Sequence, residues 1–127
     1  MLAPFSTSVL TERSFAACRD SLRPELALYI GGMGARAKNY YNDFARRLGY
    51  EAAAAKIQDS YLAGHKKDAE ATVPDALIDE ICLVGPPARI RDRVQAWKQL
   101  ARANGVGTIN LGGATIEALR VVAEAAS

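Results

Sequence analysis

At 127 residues, with 50% apolar and 24% charged side chains, the chain suits one ordinary globular domain and is too apolar to stay unfolded. Its 16 basic and 14 acidic residues leave a charge of +2, too small a surplus to argue for nucleic acid or an anionic membrane as partner. No apolar run approaches the roughly 20 residues of a membrane helix, and MLAPFSTSVLTER has no basic leader and too short an apolar stretch for a signal peptide, so the expected compartment is the cytoplasm.

Pro4 to Leu10 alternates like a strand, with Phe5, Thr7 and Val9 on one face. Thr11 is a plausible N-cap for a helix starting at Glu12. Phe15, Cys18, Leu22 and Leu26 then share one helical face. Pro24 lacks an N–H and clashes with the preceding turn, so a kink or break is expected near Leu22, with a second segment from Pro24 to Ile30 ended by Gly31-Gly32. Residues 33–48 read as a third helix with Tyr40 or Tyr41, Phe44 and Leu48 as its stripe and Gly49 as its stop. Glu51 to Leu62 is a fourth, with Ala54, Ile57 and Tyr61 on one face and Gly64 beyond it. These two helices form a helical hairpin. Residues 65–72 read as a charged turn or short helix, and Asp75 as the cap of a short helix over Ala76 to Glu80.

The segment from Asp79 to Gly113 organises the rest. Ile81 to Val84 is an unbroken apolar run, the pattern of a strand buried on both faces. Gly85-Pro86-Pro87 stops it, and Pro87 suits the first turn of a helix, where its missing N–H costs nothing. Ile90, Val94, Trp97 and Ala101 form the apolar face of that helix; Asn104 and Gly105 end it. Val106 to Leu111 is a further short strand, closed by Gly112-Gly113. Thr115 or Ala114 opens a last helix to Ala125, with Ile116, Leu119, Val122 or Val121, and Ala123 facing inward. A strand–helix–strand unit with short joints is a right-handed parallel crossover, so the parent fold is α/β. Three parallel strands have two open edges. Residues 33–72, about 40 in number, are too long for an ordinary connection and read as a helical insertion.

YIGGMGARAKNYYNDFARRLGYEAAAAKIQDSYLAG, VPDALIDEICLVGPPARIRDRVQAW and GVGTINLGG together resemble the C-terminal part of the luciferase-like oxidoreductases, in the branch that uses the deazaflavin coenzyme F-420. The resemblance runs from about Ala3 to the end. The fold it implies is a (β/α)8 barrel, of which residues 1–127 supply one partial domain of about the last three β/α units. Pro4–Leu10 resembles strand 6, 81–84 strand 7 and 107–111 strand 8, with the insertion at about 33–72 between the first two. The pieces corresponding to strands 1 to 5 are not in the sequence. The implied activity is hydride transfer between coenzyme F-420, or FMN, and a small organic substrate, by an enzyme of which this chain is a fragment inactive alone. A small α/β module that covers its open edges by forming a homo-oligomer is the other reading.

In such barrels phosphates bind at loops after the strands and at helix N-termini. The resemblance therefore points to Gly85, Gly112 and Gly113 for cofactor contact, against the alternative of plain turns. Gly31, Gly32, Arg36 and Lys38 read as a glycine-rich lid with two cations for phosphates or for the coenzyme's acidic tail, or else as a helix end followed by a solvated basic turn. The motif lacks the Gly-Lys-Ser/Thr ending of a phosphate loop. Arg36, Lys38, Tyr40, Tyr41, Arg46 and Arg47 mix basic and aromatic residues, but the tyrosines fall on the expected core stripe, so packing is preferred over base stacking. His65 is expected at the surface and Trp97 in the core. Cys18 and Cys82 are expected as buried thiols. No metal-ligand spacing is present, and no catalytic acid, base or nucleophile can be named.

Overall fold

The computed structural model describes residues 8–9, 12–105, 111 and 115–127. They are predominantly helical. The chain divides into two compact units, one formed by Met1–Arg19 with Asp79–Ser127 and one by Asp20–Ile78. The expected insertion lies within the second.

In the first unit, β1 (Ser8–Val9) and β2 (Val84–Gly85) pair in parallel, with Ser8 opposite Val84 and Val9 opposite Gly85. This is the expected direction; of the expected strand over Pro4–Leu10, only Ser8 and Val9 lie among the described residues. The apolar run is buried throughout, from Ile81 to Gly85. However, Ile81 still belongs to the preceding helix, so only the end of the run is extended. The expected strand over Val106–Leu111 and the turn at Gly112-Gly113 fall outside the described residues, apart from Leu111. Helix α6 (Pro87–Asn104) begins on the expected proline and ends at Gly105, which is left-handed at φ 71°. Helix α7 (Ile116–Ala126) is capped by Thr115, whose side chain accepts from the Ala118 N–H. Leu83, Ile90, Val94, Ala118, Val121 and Ala125 make one core, with Trp97, Leu111 and Val122 packed against it.

The inward face of α7 differs from expectation. Ala118, Val121 and Ala125 are buried, whereas Ile116 and Leu119 are exposed. Two alanines on the buried face let α6 and α7 approach closely, and the helix is phased by that contact rather than by its bulkiest residues. Gln95 Nε2 and Lys98 Nζ both donate to the Ala125 carbonyl, fixing the end of α7 against α6.

Helix α1 (Glu12–Ala27) begins in the first unit and runs into the second. It passes through Pro24 without the expected break, and continues as a π-helical turn over Leu28–Gly32. Leu22, Leu26 and Ala27 are buried, and that burial outweighs the bond lost at the proline. The expected Phe15, Cys18, Leu22 and Leu26 stripe holds, with Phe15 at its half-buried edge.

The second unit packs three helices and the π turn. Helix α2 (Tyr40–Arg47) packs on α3 (Glu51–Leu62), and α3 on α4 (Lys66–Thr72). Helix α5 (Asp75–Ile81) follows the break at Val73-Pro74. Leu26, Ala54, Ile57, Ala69, Leu77 and Ile78 are fully buried. Each large aliphatic side chain so buried contributes roughly 1.5–3 kcal/mol before entropy is counted. Arg23 gathers the end of α1 to the turn before α5, donating to the Val73 carbonyl and to the carboxylates of Asp75 and Asp20.

The helix expected over 33–48 is confined to Tyr40–Arg47. Residues 33–39 form a loop in which Ala37 is left-handed at φ 62°. A Cβ at Gly34 would strike the Lys38 carbonyl oxygen, so the turn closes only around glycine. Asn39 then opens the helix, its side-chain oxygen accepting from the Asn42 N–H at 3.0 Å. The expected tyrosine stripe is also corrected. Tyr40 is 67% exposed, Tyr41 and Phe44 are half-buried, and the face turned inward carries Asn42 and Ala45.

Candidate functional site

Each unit holds one arrangement of interest. In the first, β2 delivers the chain to Gly85 at φ 113°. A side chain there would be strained, and its Cβ would lie 3.1 Å from both the Phe15 ring and Arg89 Cδ. Two guanidinium groups lie over the Phe15 ring. Arg19 lies 3.8 Å and Arg89 5.3 Å from its ring centre. Arg19 forks onto Asp79 with bonds of 2.9 and 2.6 Å, and Arg89 donates to the Val84 carbonyl at 2.6 Å. The Arg19 charge is balanced by Asp79, while Arg89, bonded to a carbonyl, stands in the N-terminal turn of α6. The Gly85 backbone is hydrogen-bonded to Cys18, whose thiol burial pushes above its ordinary pKa despite that bond. Burial thus favours the neutral form of this enclosed thiol. Cys82 is likewise buried and outside any disulfide.

In the second unit, two asparagines tie the π turn to the hairpin. Asn39 Nδ2 donates to the carbonyls of Tyr29 and Ile30 at 2.9 and 3.1 Å. Asn42 Nδ2 donates to Ile30 and Ala54 at 3.0 and 2.9 Å, and its oxygen accepts from Arg46 Nε at 2.7 Å. A π turn has carbonyls out of step with the α ladder, and these amides supply partners for them. Beside them is a pocket of about 400 Å³ lined by Arg36, Ala37, Asn39, Asn42, Asp43, Arg46 and Gln58. Gln58 is 4% exposed, and its Nε2 is buried without a hydrogen-bond partner.

An unsatisfied buried amide costs about 1–3 kcal/mol. Gln58→Leu, which removes the amide at similar volume, is therefore expected to raise stability by about 1 kcal/mol in urea unfolding followed by circular dichroism. A loss of stability would show that Nε2 has a partner in solution.

The sequence-derived site residues are distributed over both units. Gly31 and Gly32 lie in the π turn, where α3 presses Tyr61 against them. Arg36 and Lys38 lie in the loop that follows, both exposed; Arg36 is ion-paired with Asp59. Gly85 is in the other unit, and Gly112 and Gly113 are outside the described residues. His65 is exposed at the start of α4, as expected. Among the described residues no group of three or more His, Cys, Asp and Glu is placed to hold a metal. Nor is any helix there long and apolar enough to cross a membrane.

Sequence reasoning did not find Asn39, Asn42, Asp43 and Gln58, and weighed Arg46 only within a basic–aromatic group. The one available signal was the pair Asn39-Tyr-Tyr-Asn42, a capping residue three positions before another amide. It also missed Arg19 and Arg89, and placed Phe15 only on an apolar stripe.

The parallel strand pair is followed by a proline-initiated helix, a β–α succession. Comparison with known families makes this specific: residues 3–104 match the model of the luciferase-like monooxygenases, and the chain belongs to that family. It is 35% identical over 83 residues to a protein of Mycobacterium tuberculosis (strain ATCC 25618 / H37Rv) whose name assigns it provisionally to the coenzyme F-420-dependent oxidoreductases. That match takes in 65% of this chain and 24% of the relative, so the chain spans about a quarter of the relative's length. No solved structure matches the chain.

Proposed function

We propose that the chain is the C-terminal part of a luciferase-like oxidoreductase that passes a hydride between the deazaflavin coenzyme F-420, in preference to FMN, and a small organic substrate. The family match over residues 3–104 carries this reading, and the name of the relative favours the deazaflavin. The fold proposed is about the last three β/α units of a (β/α)8 barrel. Its first supports are the parallel pairing of β1 with β2 and the start of α6 at the strand end, where barrel enzymes place their chemistry.

The coenzyme supplies the hydride when bound. Its acidic groups fit Arg36 and Lys38, two exposed cations on one short loop. The Cα faces of Gly31 and Gly32 are occupied by Tyr61, and that of Gly85 by Phe15 and Arg89. What these glycines contribute is a close-packed backbone, not open space for a ring. Gly112 and Gly113 complete the proposed set. Arg89, bonded to a carbonyl rather than to a carboxylate, favours an anionic group at the end of β2 over a neutral one. No residue here is assigned as acid or base. The other barrel strands provide most of the ring pocket in this reading, so the chain alone is proposed to bind coenzyme weakly and not to turn over.

The test is equilibrium dialysis of the chain against coenzyme F-420 and FMN, read by absorbance. Saturable retention of F-420, weakened about tenfold in Arg36→Gln/Lys38→Gln, is expected. Equal retention by that double variant, or a preference for FMN, would overturn the assignment.

A further inference from the structure

Asn104 is the one asparagine in the sequence that is followed by glycine. It is exposed and is the last residue of α6. Gly105 beyond it is left-handed at φ 71°, with open space where a side chain would stand. A side chain on the following residue hinders approach of its backbone nitrogen, and glycine has none. Of all the asparagines here, Asn104 therefore has the least shielded backbone nitrogen next to its carboxamide carbon.

Two hydrogen bonds decide what the fold does to that pair. Asn104 Nδ2 donates to the Leu100 carbonyl at 2.9 Å. The Gly105 N–H donates to the Ala101 carbonyl and closes the last turn. Side chains of a helix lean towards its N-terminus, and the bond to Leu100 draws the carboxamide that way, while the Gly105 nitrogen lies ahead of it. The nucleophile is thus turned from the carbon, and its proton is engaged. Helix ends fray at far lower cost than whole helices unfold. This end has little to hold it: Ala103, Asn104 and Gly105 are exposed, and the buried residues of α6, Ile90 and Val94, lie well upstream.

We propose that Asn104 is a site of spontaneous deamidation that the folded end of α6 holds in check. When the turn opens, the Gly105 nitrogen gives its proton to hydroxide and bonds to Asn104 Cγ. The Cγ–Nδ2 bond breaks, and the amide takes a proton from water and leaves as ammonia. Water then opens the succinimide ring at either carbonyl, ending as aspartate or isoaspartate. Nothing is oxidised or reduced, and water is the co-reactant. The product brings a negative charge to the C-terminal end of the helix, where the dipole opposes it, and has no N–H left for Leu100. Each opening that ends in reaction weakens the turn that guarded it. Asn39 and Asn42 differ on every count. They are 1% and 3% exposed, each amide is held by two carbonyls, and tyrosine and aspartate follow them.

The full chain is incubated in mildly alkaline buffer, with and without unfolding guanidinium chloride. Conversion is followed at each asparagine by peptide mass spectrometry, and isoaspartate by labelling with an isoaspartyl methyltransferase. In denaturant, Asn104 is expected to convert at least tenfold faster than Asn39 or Asn42. Without denaturant its rate should fall at least tenfold. Ala103→Gly, at an exposed position, should raise the rate without denaturant about fivefold, the weight of a glycine near a helix end, and leave the rate in denaturant unchanged. Asn104→Gln should abolish isoaspartate labelling at this position. Conversion of Asn104 no faster than of Asn39 in denaturant would overturn the site. Equal rates with and without denaturant, or no response to Ala103→Gly, would overturn its control by the helix end.

Discussion

Asn42→Ala is expected to lower the stability of the helical unit by about 4 kcal/mol, the largest effect of any single polar change in it. The amide makes three hydrogen bonds at once, to Ile30, Ala54 and Arg46. Each is worth about 1 kcal/mol net, more where a charged group is involved. Truncation to alanine adds the loss of packing at a buried position, 3% exposed. Asn42→Leu separates the two contributions, because it keeps the volume and loses the bonds. It should cost about 3 kcal/mol. Urea unfolding followed by far-ultraviolet circular dichroism measures both. A neutral Asn42→Leu would mean that the π turn does not depend on the amide.

Gly31→Ala should cost about 2 kcal/mol. An added Cβ would lie 2.6 Å from Tyr61 Cβ and 3.1 Å from the Ile57 carbonyl oxygen. Overpacking of this kind costs roughly 1–3 kcal/mol, and alanine's better helical propensity returns at most about 1 kcal/mol. Gly32 meets the ring of Tyr61 instead, with Cδ1 at 2.8 Å. A double-mutant cycle distinguishes the two positions. Tyr61→Ala should relieve Gly32→Ala, since it removes the ring, and should leave Gly31→Ala destabilised, since Cβ and the Ile57 carbonyl remain. Equal relief at both positions would show that α3 shifts as a body.

What the sequence made legible follows from what patterns encode. Helices α3 and α6 were readable to their ends, because Gly49, Gly64, Gly105 and Pro87 mark boundaries by backbone preference alone, and each of those glycines has positive φ. The buried run through Ile81–Val84 was readable for the same kind of reason: nothing polar interrupts it. Its division between helix and strand was not, since a short apolar run suits either. The face of α2 was misread because Tyr40 and Tyr41 have the bulk of core residues, while a buried asparagine looks in sequence like a solvated one. Only the carbonyls of the π turn give Asn42 its reason to point inward, and those carbonyls come from a different segment. Gln58 was illegible on the same ground. The phase of α7 was lost because alanines, not Ile116 and Leu119, set its contact with α6.

The π turn over Leu28–Gly32 also governs how this stretch can tolerate changes of length. One residue more or fewer in a helix rotates everything beyond it by about 100°. A single-codon deletion there would restore an ordinary spiral and swing the glycine pair off Tyr61. Asn39 would leave its acceptors in the same step. Homologues should therefore keep the residue count of this stretch even where Leu28 and Tyr29 are replaced, and library designs that shuffle lengths should leave it alone.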